Sequence, residues 1–131
     1  MAFRVPEQYR IETISPASLG KRGAFRIPHP LQRGVQLLVI ADEGTLDDQG
    51  APLPRDRQWE HVSVQVQDPT VEKRTPTWAE MCFIKAQFWD REDTVVQLHP
   101  PRSRYVDVHP YVLHLWRQVG VEQPLPPQEY V

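Results

Sequence analysis

A single cysteine, Cys82, in 131 residues excludes an intrachain disulfide framework and any zinc module built on paired cysteines. Glycine is scarce at six, and the only suggestive cluster, Gly20, Lys21, Arg22 and Gly23, lacks the longer glycine interval and the following Lys and Ser or Thr of a phosphate-cradling loop. It reads as a basic surface loop. No apolar run approaches the ~20 residues of a membrane span, and the opening residues mix Arg4, Pro6 and Glu7 with too few apolar side chains for a signal-peptide core. Neither sign of charge dominates: 15 Lys and Arg against 17 Asp and Glu give a formal net charge of -2, so no global positive field directs the chain to nucleic acid or anionic lipid. No repeat of fixed period is present, which removes solenoids and propellers. These absences lead us to expect a soluble intracellular protein in a reducing compartment, with no membrane contact and no cofactor.

What is present is globular. At 40% hydrophobic and 24% charged, the chain supports one domain with a core of its own, and its 14 prolines predict long loops. Residues 1–34 carry six basic side chains (Arg4, Arg10, Lys21, Arg22, Arg26 and Arg33) against Glu7 and Glu12, punctuated by Pro16, Pro28 and Pro30. This segment reads as an irregular basic arm with a short extended piece over 24–27. A core follows over 35–117, then a Pro-rich tail over 118–131.

Within the core, 35–41 (VQLLVIA) is a short apolar run bounded by Gly34 and by Asp42, Glu43 and Gly44, the pattern of a buried strand. Residues 59–66 alternate, with Val62, Val64 and Val66 opposite His61, Ser63 and Gln65. The same rule predicts strands over 94–99 and 111–116. Between the strands over 59–66 and 94–99, residues 77–89 carry the strongest helix signal: Thr77 followed three residues later by Glu80 is a capping box. At ~100° per residue, Met81, Ile84, Phe88, Lys85, Trp78, Trp89 and Cys82 fall on one arc, assigned to the sheet, with Phe83 facing away. The architecture expected is α+β, about four antiparallel strands with one main helix packed on one face.

Three groups of residues invite chemistry. If the strands are neighbours in register, His61, His99 and His114 share a face, and three imidazoles suit a transition metal. The same residues serve equally as structural histidines hydrogen-bonded inward, and no carboxylate is placed beside them by the alternation; our reading is therefore no metal. Ser63 lies two residues from His61 on that face, too far along a strand for a nucleophile and base and without an elbow motif. Arg102 and Arg104, with Tyr105 in a loop between Pro101 and Pro110, are suited to hold a phosphate. Phe83 and Tyr105 are aromatic anchors for a protein partner, with Lys85 snorkelling between tryptophans.

The block WEHVSV, PTWAEMCFIKAQFW, VVQLHPPRSRYV and HPYVLHLW, spanning 59–116, resembles small proteins encoded by tailed bacteriophages and prophages that share a domain of unknown function. The resemblance implies a phage origin and the cytoplasm of an infected bacterium, and brings no catalytic residue with it. The leading expectation is a non-enzymatic accessory protein that binds a host or phage macromolecule, as takeover and anti-defence factors do, through Phe83, Arg102, Arg104 and Tyr105. The alternatives are a metal-dependent hydrolase or nuclease on His61, His99 and His114, and nucleotide or nucleic-acid binding through Arg102 and Arg104.

Overall fold

The alternation of Val62, Val64 and Val66 does what its period requires, turning all three to one side of a sheet where each is buried. In a computed structural model, described here for residues 3–12, 21–89, 94–98 and 111–120, six strands form one antiparallel sheet: β1 (Arg10–Glu12), β2 (Lys21–Pro28), β3 (Gln36–Gly44), β4 (Trp59–Gln67), β5 (Gln97–Leu98) and β6 (Val112–Gln118). Their order across the sheet is β1-β2-β3-β4-β6-β5. One helix, α1 (Trp78–Phe88), lies against one face. The class and the single main helix agree with the sequence reading, while the strand count among the described residues is six rather than about four. Of the strand expected over 94–99, the described residues 94–98 form strand at Gln97–Leu98.

The two additional strands come from the segment read as an arm. Phe25 and Ile27 of β2 are fully buried, and β2 pairs with β3 along Phe25↔Val39 and Ile27↔Leu37. Only two inward positions in β2 are large and apolar, so a run rich in Lys, Arg and Pro hides a strand whose solvent face is polar. The chain start is held as well. Phe3 lies against the rings of Phe88 and Trp89, at centroid distances of 6.1 and 5.1 Å, and the Arg4 amide donates to the Phe88 carbonyl.

A bulge separates Lys21 from Gly23, whose φ of 126° lies in the region that favours glycine. A side chain there would also collide with the Arg10 guanidinium, which donates to the Arg22 carbonyl at 2.8 Å and sits 4.9 Å from the centre of the Phe25 ring. Glycine thus lets Arg10 cross the strand and cover the end of the core.

The core fills the space between the sheet and α1. Met81, Ile84 and Phe88 pack on Phe25, Leu37, Val39, Val62, Val64 and Leu115, with Leu98 and Leu113 at the margin. The helix begins as its sequence demands: the Thr77 hydroxyl accepts from the Glu80 amide at 3.2 Å, and the Glu80 carboxylate accepts from the Thr77 amide at 2.8 Å. Its rotation differs from the sequence reading by roughly 70° on the ~100° wheel. The buried residues are Glu80, Met81, Ile84 and Phe88, while Trp78 and Cys82 are exposed and Phe83 is half-buried against the core.

Candidate functional site

The opposite face of the sheet, without a helix among the described residues, carries the even positions of β3 and β6 and the odd positions of β4. Asp42 of β3 is the register partner of His61 on β4, and Ser63, two residues on, is the partner of His114 on β6. Three side chains from three adjacent strands are thereby set in line. Asp42 Oδ1 lies 2.6 Å from His61 Nδ1, and His61 Nε2 lies 2.8 Å from His114 Nδ1. Asp42 and His61 are half-buried, and His114 is buried.

The two imidazoles meet edge to edge. Their planes differ by 18° and their centroids are 5.0 Å apart. With 2.8 Å of that separation lying between the two nitrogens, only the ring radii remain, so both centroids and both nitrogens are nearly collinear. The rings are coplanar and joined head-on by an N–H···N hydrogen bond, rather than stacked face to face. Because an ionised Asp42 accepts only, His61 donates from Nδ1; its Nε2 then accepts from His114 Nδ1–H.

This pairing brings together two of the three histidines placed on one face by sequence, and adds the carboxylate the sequence reading lacked. The sequence reading ends the strand at 41, with Asp42 among the residues that bound it, whereas β3 runs on to Gly44; carrying the two-residue alternation one step beyond 41 is the signal that finds it. A metal needs lone pairs converging on one point, and here the His61 Nε2 lone pair is taken by the His114 Nδ1–H. Among the described residues no group of three or more His, Cys, Asp or Glu is set to hold a metal ion. His99 and His109 lie outside the described residues, as do Arg102, Arg104 and Tyr105. Phe83, expected to stand clear of the sheet, packs against the core instead, because the helix is turned toward Glu80.

Glu80 explains that turn. Its side chain is 4% exposed, a position a carboxylate tolerates only when its charge and lone pairs are met. Arg74 grips it with both terminal nitrogens at 2.8 and 2.7 Å, the Thr77 amide donates at 2.8 Å, and His29 Nε2 approaches at 2.8 Å. His29 Nδ1 accepts from the Leu31 and Gln32 amides at 3.0 and 3.1 Å, so the ring carries its proton on Nε2 and donates it to Glu80. The hydrogen bonds from Arg74, then that from the Thr77 amide, with the Arg74 charge and the His29 bond, outweigh burial and hold the Glu80 carboxyl at about 2.

The family description of a domain of unknown function, DUF7694, matches residues 52–120, more than half of the chain. The chain belongs to the DUF7694 family. Neither the curated proteins nor the solved structures gave a match. In this DUF7694 protein the matched span holds β4, α1, β5 and β6, and with them His61, His114, Arg74 and Glu80. Asp42 and His29, the residues that complete each constellation, come from the segment ahead of it. No helix among the described residues is long and apolar enough to cross a membrane.

Proposed function

We propose that this DUF7694 protein is a small phage-encoded accessory protein that acts in the cytoplasm of an infected bacterium by binding a host or phage macromolecule, a protein in the first instance. One observation carries the reading: Trp78, in the first turn of α1, is 65% exposed. Tryptophan concentrates binding energy when it is covered, and leaving one in water needs a reason. It does not stand alone, because Leu31 at 88% and Val71 at 52% belong to the loops at the same end of the sheet. The ion-paired cluster of His29, Arg74 and Glu80 ties these loops to the helix start. Apolar side chains on a braced framework lose little conformational freedom when a partner covers them.

We take Trp78 as the anchor ahead of Phe83, which is half-buried against the core. Quantitative affinity capture from infected cells, comparing the wild type with a Leu31→Ala/Trp78→Ala variant, tests the placement. Surface truncations of this kind leave folding within about 0.5 kcal/mol, checked by circular dichroism. A specific partner should be enriched by the wild type and weakened at least ~10-fold in the variant, about 1.4 kcal/mol. Equal capture by a folded double variant refutes the surface.

A further inference from the structure

His29 follows β2 directly and is bonded at both ring nitrogens. Its backbone amide donates to the Val35 carbonyl at 2.9 Å, and the Val35 amide donates to the Gln32 carbonyl at 3.3 Å, which closes the loop 29–35 between β2 and β3. Inside that loop the Nδ1 lone pair is shared by the Leu31 and Gln32 amides, while Nε2 donates outward to Glu80. The side chain is 6% exposed. One imidazole thus shapes the hairpin tip and fastens it to the start of α1. We propose that His29 is a proton-released latch: the loop 29–35 closes on the neutral ring, opens when the ring takes up a proton, and carries Leu31 with it. The consequence for partner capture rests on the binding reading above; the latch itself does not.

With Nε2 already carrying hydrogen, an added proton must go to Nδ1. In the closed loop that atom is covered by the two amides, so uptake follows opening. The loop lets go of Nδ1, water takes over the Leu31 and Gln32 amides, and Nδ1 accepts a proton from solvent. The ring now presents an N–H where two amide N–H groups require a lone pair, and the loop is kept from reclosing. An imidazole in water charges as the pH falls through about 6.5. Each further pH unit should therefore multiply the open population ~10-fold.

The charged groups around the ring leave this decision to Nδ1. Glu80 favours an imidazolium, but Arg74 grips the same carboxylate with both terminal nitrogens and offsets its charge. Glu80 stays ionised through mild acid, its carboxyl being held at about 2. Of the charged residues on the neighbouring segments, Arg33 in the loop itself and Glu72 and Lys73 ahead of α1 are exposed. Arg26 near the end of β2 bonds Gln67, and Asp68 after β4 is bonded by the amide and hydroxyl of Thr70.

Hydrogen-exchange NMR of the full 15N-labelled chain between pH 7.5 and 5 is the test, each rate being divided by that of an unstructured peptide at the same pH. Below about pH 6.5 the protection of the Leu31 and Gln32 amides should fall ~10-fold per unit, until none remains, while Leu37 and Val39 in β3 keep theirs. His29→Asn retains a side-chain acceptor for amides two and three residues on but takes up no proton, so its loop protection should not vary with pH. Wild-type protection that is flat from pH 6.5 to 5, or an equal fall in the Asn variant, overturns the latch. Should the variant not fold, the wild-type profile decides alone. No partner enters the measurement, so failure of the latch and failure of the binding surface are separate results.

Discussion

Replacing Glu80 by Gln keeps the volume and one acceptor for the Thr77 amide but removes the charge that Arg74 grips through two contacts. A carboxyl drawn from 4.5 to about 2 in the folded chain contributes about 3 kcal/mol of stability, at 1.36 kcal/mol per tenfold change in acidity. The folded value is depressed, so this contribution is complete above the unfolded value and is lost as the pH falls from about 4.5 toward 2. The amide cannot titrate. Glu80→Gln should therefore cost about 3 kcal/mol at pH 7, and the gap between the two proteins should close through that acid window. Denaturant unfolding followed by circular dichroism, at pH 7 and in steps down to about 2.5, measures both. Glu7 and Asp68 are also held below the usual carboxylate range, by hydrogen bonds from Arg10 and Thr70, but they are common to both proteins and cancel in the difference. A cost under about 1 kcal/mol at pH 7, or a gap that persists unchanged into acid, would mean that Glu80 is not braced as described.

Phe88, fully buried with the Phe25 ring edge-on at 5.5 Å, should lose ~3 to 5 kcal/mol on truncation to Ala, read by the same unfolding assay; less than ~1 kcal/mol would deny the helix its place on the sheet. Cys82 is exposed, so a thiol reagent should label it stoichiometrically in the native protein without denaturant, and labelling only after unfolding would return it to the core.

The elements legible in the sequence were those whose signal is local. β3 and β4 declared themselves by an apolar run and a two-residue alternation, β6 by alternation, and α1 by the capping box that both its hydrogen bonds realise. What was not legible depends on distant partners. The rotation of α1 follows from burying Glu80, which requires His29, 51 residues earlier, so a wheel drawn from hydrophobicity alone favours Trp78 and Cys82. β2 offers only Phe25 and Ile27 as inward apolar positions among basic and proline residues, too weak a pattern before β3 is known to lie beside it. At the histidine pair, sharing of a face by His61 and His114 could be read from period two. Their head-on contact depends on the β4–β6 register, and Asp42 is hidden because it stands in the polar cluster that bounds the apolar run.

The boundary of the family match at residue 52 divides the sheet between β3 and β4, so the unit of descent and the unit of folding are not the same piece of chain. β4 sits at the centre of the sheet, and cutting the chain there would turn it into an edge nine residues long, with Val62, Val64 and Val66 robbed of their β3 partners Ala41, Val39 and Leu37. A bare, regular, valine-rich edge is a template for pairing with other copies. Residues 52–120 produced alone should therefore assemble or precipitate rather than form a soluble monomer by gel filtration. In this chain the segment ahead of the block supplies that cover, laying all nine residues of β3 along β4.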